Sequence, residues 1–162
     1  HKLQEQYLFL ARHNIHSAEE LVGTIDSLTD KKKETSAEKS RVYKERERSR
    51  ELFAAADEME TLKLAEQSYR LGDTFFEDEH RKWVALEQEL QAQGYSLEEV
   101  QALRRHYKEE YSEVCAREKV VCRELNTGKA ILNSMIPDSI SDGRKTEYNR
   151  EIIRDRKEQP VR

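Results

Sequence analysis

Residues 17–71 contain no proline and a single glycine, Gly23. Over these fifty-five residues the two strongest local helix terminators are all but missing. The apolar residues recur sparsely, at three- and four-residue steps. This pattern predicts one long, continuous or gently bent helix of about 50 residues. At about 1.5 Å per residue it would span roughly 75–80 Å, more than a compact small domain needs. The expected fold is therefore all-α: an elongated antiparallel helical bundle or hairpin with coiled-coil-like packing, not a body wrapped around a ligand pocket.

Composition supports thin seams over a thick core. Of 162 residues, 36% are hydrophobic and 38% charged, and mean hydropathy is −1.00. Narrow stripes between helices need far less apolar material than a globular interior. The net charge of −4 is small for this length, and the apolar residues are periodic, so full disorder is disfavoured. No apolar run approaches the roughly 20 residues of a membrane span, and nothing reads as a signal peptide. The chain opens on His1, so an upstream segment is expected. Cys115 and Cys122, seven apart on one predicted helix, lie about 10 Å apart along its axis, too far for a disulfide. Reduced, packing cysteines fit a cytoplasmic location.

Capping signatures divide the chain. Residues 2–13 read as a first helix with Leu3, Tyr7, Leu10 and Ala11 near one face, widened by Leu8 and Phe9. A turn through Asn14 and Ile15 comes next, and Ser17 with Glu20 forms a capping box for the long helix, with Ile15 and Leu21 as a staple. Its stripe runs Leu21, Ile25, Leu28, Val42, Leu52, Ala56, Met59, Leu62 and Tyr69. A second Ser/Thr–Glu pair, Thr35 and Glu38, marks an alternative break near residues 29–35. Gly72 reads as a C-cap and Thr74 with Glu77 as the next N-cap pair. A third helix over about 75–93 carries Phe76, Trp83, Leu86 and Leu90 and ends at Gly94. Ser96 and Glu99 open a fourth, to about Ile136, with the stripe Val100, Leu103, Tyr107, Tyr111, Val114, Val121, Leu125 and Leu132. The expected division is a helical domain over 1–136 and a polar, charged tail over 137–162, a short helix or flexible.

Candidate chemistry is sparse. Glu77 and His80 form one Glu-x-x-His pair, where a di-iron bundle needs two such pairs and two more glutamates. His13 and His16 have ligand-like spacing but no Cys-x-x-Cys to complete a zinc site, and His106 reads as solvated surface among Arg104, Arg105 and Lys108. Both cysteines lie on or beside the apolar seam of a predicted helix, and no phosphate loop or nucleophile elbow is present. No metal, cofactor or catalytic residue is expected. The basic middle of the long helix carries more weight. Lys31, Lys32, Lys33, Lys39, Arg41, Lys44, Arg46, Arg48 and Arg50 stand against five glutamates in the stretch from Lys31 to Glu51. Such a run could track phosphates, or be a solvated face laced with i,i+4 pairs. The tail's seven cations from Arg144 onward, against four acids, are a weaker second candidate.

The opening "KLQEQYLFLARHNIHSAEEL" resembles a junction in relaxases, the mobilization nucleases of conjugative plasmids and transposons, where a short helix and a turn precede a long charged helix. The stretches "YRLGDTFFEDEHRKW" and "GYSLEEVQALRRHYKEEY" are similar to the continuation of that C-terminal region, so the likeness spans roughly residues 2–132. Relaxases nick one DNA strand with a tyrosine nucleophile and a histidine-rich metal site, in a domain N-terminal to this region. His13-x-x-His16 departs from the family's His-hydrophobe-His pattern, so no catalytic residue carries over. The resemblance implies a non-catalytic helical accessory region whose partners are DNA, other relaxosome proteins or the secretion machinery; a homodimer is a separate expectation. The alternative expectation is a coiled-coil protein-interaction scaffold with no nucleic-acid role, built on Val100, Tyr107, Val114 and Val121 at heptad spacing.

Overall fold

The computed structural model describes residues 1–136; the expectations for the tail lie outside the described residues. Among the described residues there are five α-helices, one 3₁₀ turn and no strand. They are α1 (Lys2–Arg12), α2 (Ala18–Arg48), α3 (Arg50–Arg70), the 3₁₀ turn Thr74–Phe76, α4 (Glu77–Ala92) and α5 (Leu97–Ser134). The all-α expectation holds, with helix packed on helix. The longest described helix is α5, at 38 residues.

Three helix ends share one chemistry. After α1, Asn14 takes φ 52°, its N–H donates to Ala11 O, and Ile15 N–H donates to Leu10 O at 2.9 Å. After α3, Gly72 (φ 104°) donates to Tyr69 O and Asp73 to Ser68 O. After α4, Gly94 (φ 85°) donates to Gln91 O and Tyr95 to Leu90 O. Each is the paired 6→1 and 5→2 pattern that satisfies orphan carbonyls with one left-handed residue. The caps at the N-termini are equally local. Glu20 N–H donates to Ser17 Oγ and Glu99 N–H to Ser96 Oγ, each at 3.2 Å. The Glu20 carboxylate reaches back to His16 N–H, one residue beyond the usual capping-box partner. At the next start Asp73 replaces the expected Thr74: its Oδ1 accepts from Phe75 N–H at 3.1 Å and begins the 3₁₀ turn.

The expected 50-residue helix is divided. Residues 29–35, the alternative break, are helical throughout: Thr29 and Thr35 hydroxyls donate back to Ile25 O and Lys31 O, so Thr35 caps nothing. The break falls at Ser49 instead (φ −92°, ψ 8°). There the N–H tightens to Arg46 O, three residues back, and the hydroxyl leans on Glu45 O at 3.4 Å. Serine back-bonding of this kind bends helices.

The described residues form two compact units, residues 1–37 with 115–136, and Glu38–Val114; α2 and α5 each contribute to both. In the first unit Phe9 and Ile15 pack with Leu21, Val22, Ile25 and Leu28 of α2 and Leu125, Ile131 and Leu132 of α5. The α1 face differs from the expected one. Phe9 is 1% exposed, whereas Leu3 and Tyr7 are 82% and 70% exposed; Gln6, Leu10 and His13, on the side of Phe9, are half-buried. The cause lies on α5. A Cβ at Gly128 would sit 3.1 Å from Phe9 Cζ and 3.1 Å from Ile25 Cγ1, so the missing side chain makes room for the phenyl ring.

In the second unit Leu52, Phe53, Ala55, Ala56 and Met59 of α3 pack with Leu90 of α4 and Val100 of α5, edged by Trp83, Leu86, Tyr95, Leu97, Leu103 and Tyr107. The stripe residues Val42 and Val114 are fully buried. Cys115 and Cys122 are free and half-buried. Among the described residues no helix is long and apolar enough to cross a membrane.

Because Phe9 and Ile25 are themselves enclosed, Gly128→Val should overpack this contact and cost about 1–3 kcal/mol. Urea unfolding followed by circular dichroism measures it; an unchanged midpoint would show that the ring has room to move.

Candidate nucleic-acid interface

α2 is polar around most of its circumference between residues 29 and 48, with Val42 and Thr35 as its buried points there. A helix of that kind leaves its long cationic side chains in solvent. Of the nine expected cations, eight are exposed and Lys39 is half-buried. Lys31, Lys32 and Lys33 belong to the first unit, and the other six to the second. The structure therefore divides the predicted run between two bodies, and Arg50 falls on α3, beyond the Ser49 break.

In the second unit Arg41 is tied down. It donates to Glu45 Oε1 at 2.9 Å, one turn on, and to Glu110 Oε1 of α5 at 3.2 Å. Hydrogen bonding to Glu45, then to Glu110, holds its guanidinium above the ordinary arginine value. Lys44, Arg46, Arg48 and Arg50 make no ion pair among the described residues. Lys44 and Arg48 lie three and seven residues after Arg41, on the side of α2 away from Val42. Arg46 and Arg50 line an open depression of about 260 Å³ with Glu47, Phe53, Ala54, Asp57 and Arg104.

Arg104 in that depression is already spoken for. Its two terminal nitrogens grip both oxygens of Asp57, one at 2.9 Å, and its guanidinium lies over the Phe53 ring, 5.3 Å from the centroid. The hydrogen bonds from Arg104 hold the Asp57 carboxyl below its ordinary 3.8. Arg46 and Arg50 against Glu47 leave the rim locally positive. The arrangement can attract an anion but carries no nucleophile or acid–base pair.

The histidine signals resolve into separate partnerships. His80 Nδ1 lies 2.8 Å from Glu66 Oε2, and its ring stacks on Tyr69 at 4.1 Å and 16°. Glu77 turns instead to Arg81 at 3.1 Å, so the Glu-x-x-His pair does not converge. His13 Nε2 faces Glu124 at 3.3 Å while His16 Nε2 meets Asn14 Oδ1 at 2.8 Å. His106 Nε2 lies 3.4 Å from Glu110 and is exposed. Among the described residues no three His, Cys, Asp or Glu side chains gather as a metal site.

Sequence reasoning passed over Glu66, a carboxylate only 2% exposed. It is held by Arg70 Nε at 2.9 Å and by His80. The signal was available: Met59, Leu62, Glu66 and Tyr69 share one helical stripe, and an acid on a buried stripe needs partners. Comparison of the chain with protein-family models, curated proteins and solved structures gives no match.

Glu66→Ala should cost about 1–3 kcal/mol in urea unfolding, because Arg70 and His80 lose their acceptor, and Glu66→Gln should cost less. Asp57 makes a pH-dependent prediction. Its depressed folded value means that the pair stabilises the fold above the ordinary aspartate range and ceases to do so as pH falls through the folded value. Asp57→Asn should lower stability at neutral pH by less than about 1 kcal/mol, the pair being solvent-screened. The difference from wild type should close in acid.

Proposed function

We propose that the chain is a non-catalytic helical accessory region of a relaxase-like mobilization protein. In this reading it is an elongated antiparallel bundle that acts in the cytoplasm, contacts DNA and supports relaxosome assembly during conjugative transfer. The family part rests on the likeness of residues 2–132. The DNA part rests on one observation: Lys44, Arg46, Arg48 and Arg50 stand exposed over about two helical turns, as two i,i+4 pairs on different sides, without ion pairs among the described residues. Phosphates would displace their counterions, giving sequence-independent affinity that falls steeply with salt.

The interaction-scaffold alternative drew on the α5 heptad line. Val100 and Val114 are 0% exposed, and Tyr107 and Val121 are half-buried. This line is used within the chain, so a second copy has little of it left to grasp. A scaffold role therefore needs a different surface.

Titration onto single- and double-stranded DNA at several salt concentrations tests the reading. The double substitution Lys44→Glu with Arg48→Glu should weaken binding and flatten the log–log salt slope by about two units on duplex DNA. Arg41→Gln, which removes an already neutralised cation, should do much less. Absence of binding at low salt would remove DNA contact from the proposal, and a tight dimer indifferent to DNA would favour the scaffold.

A further inference from the structure

The turn joining α3 to α4 holds large apolar side chains in water. Leu71 is 90% exposed and Phe75 83%. Leu64, two helical turns before Leu71 on the same side of α3, is 77% exposed. Single exposed hydrophobes are ordinary, but these lie at or near one stiff turn. Gly72 and Asp73 close the end of α3 through Tyr69 O and Ser68 O. Asp73 then caps Phe75, and the Phe75 ring packs edge-on against half-buried Phe76, centroids 5.1 Å apart. Behind the turn, buried Glu66 joins the last turn of α3 to His80 in α4.

The rim of this turn is acidic. Asp73, Glu77 and Asp78 are exposed and Glu79 is half-buried. Arg81 is occupied by Glu77 and Arg70 by Glu66. Asp78 and Glu79 have no ion pair among the described residues. The dipole of α4 accounts for acids in its first turn, but it gives no reason to hold leucine and phenylalanine outward beside them. Such a rim repels phosphates, which disfavours both nucleic acid and an anionic membrane as the occupant.

We propose that the α3–α4 turn is a docking knob for a partner protein whose surface offers an apolar pocket ringed by lysine and arginine. Leu71 and Phe75 supply the buried anchors, and the acidic rim supplies orientation and speed of encounter. The proposal uses none of the cations of the DNA reading, so either can fail alone.

The test uses the whole chain and a labelled amphipathic helical peptide of leucine and lysine as probe, with a leucine–glutamate peptide of the same pattern as control. Leu71→Ser with Phe75→Ser should shift the circular-dichroism melt only slightly, both side chains being mostly in solvent and the edge-on Phe76 contact alone being lost, and weaken the lysine peptide about tenfold in fluorescence anisotropy. Asp78→Asn with Glu79→Gln should weaken it less and make it less salt-sensitive. Equal binding of the glutamate peptide, or lysine-peptide binding indifferent to the serine variant, would overturn the proposal. So would sedimentation showing a wild-type dimer that the serine variant converts to monomer, since the occupant would then be a second copy of this chain.

Discussion

A chain with 36% hydrophobic residues spread over long helices can bury only ribbons, and the rest of this structure depends on where those ribbons meet. With seams one or two side chains wide, a single contact decides which face of a helix turns inward. At Gly128 the absent side chain lets Phe9 close to within ordinary contact of α5 beside Ile25. With Phe9 turned to this contact, Leu3 and Tyr7 face water. Along the polar middle of α2, Val42 is the one apolar residue between positions 31 and 48 that is fully buried. The rest of that stretch is held by its own backbone ladder and by polar contacts such as those of Arg41 with Glu45 and Glu110. A wide core averages over such details, and a ribbon cannot.

The legibility of the sequence divides along the same line. Helix ends were readable because their chemistry is local: Asn14, Gly72 and Gly94 take the left-handed position, and Ser17 and Ser96 cap α2 and α5. The apolar stripes of α2, α3 and α5 were readable too, since Leu21, Ile25, Leu28, Val42, Met59, Val100, Val114 and Leu125 are all buried. The α1 face was readable only in part: Phe9 and Leu10, in the expected face, turn inward, while Leu3 and Tyr7 do not, and the close fit of Phe9 at Gly128 involves a residue more than a hundred positions away. The Ser49 break was hidden for a different reason. Serine is neutral enough within a helix that only its actual hydrogen bonds show the ladder tightening there.

At the candidate interface, exposure of the cations was legible and their neutralisation was not. Arg41 has an i,i+4 glutamate, visible in the sequence, but its second partner, Glu110, is 69 residues on. Arg104 stands in a run of cations, yet its charge is spent on Asp57, 47 residues back. Counting cations thus misses the ion pairs of Arg41, while Lys44, Arg46 and Arg48 stand exposed. The electrostatic character of a helical surface depends on which acids the neighbouring helices bring, a tertiary property that no window of sequence contains.

Within residues 38–114 this sorting produces two regions of opposite character, which the net charge of −4 conceals. Arginine and lysine collect along α2 into the start of α3, and acids collect around the turn from α3 to α4. Glu66 connects the second region to the fold. A buried carboxylate is tolerated only when its oxygens are occupied, and here one takes Arg70 from its own helix and the other His80 from the next, with Tyr69 stacked on the imidazole. This bonding fixes the last turn of α3 against the first turn of α4. A hydrophobic pair in that place would bury as much surface but leave the helices freer to rotate. The hydrogen-bonded carboxylate sets their angle, and with it the direction in which the stiff turn beyond presents its leucine and phenylalanine.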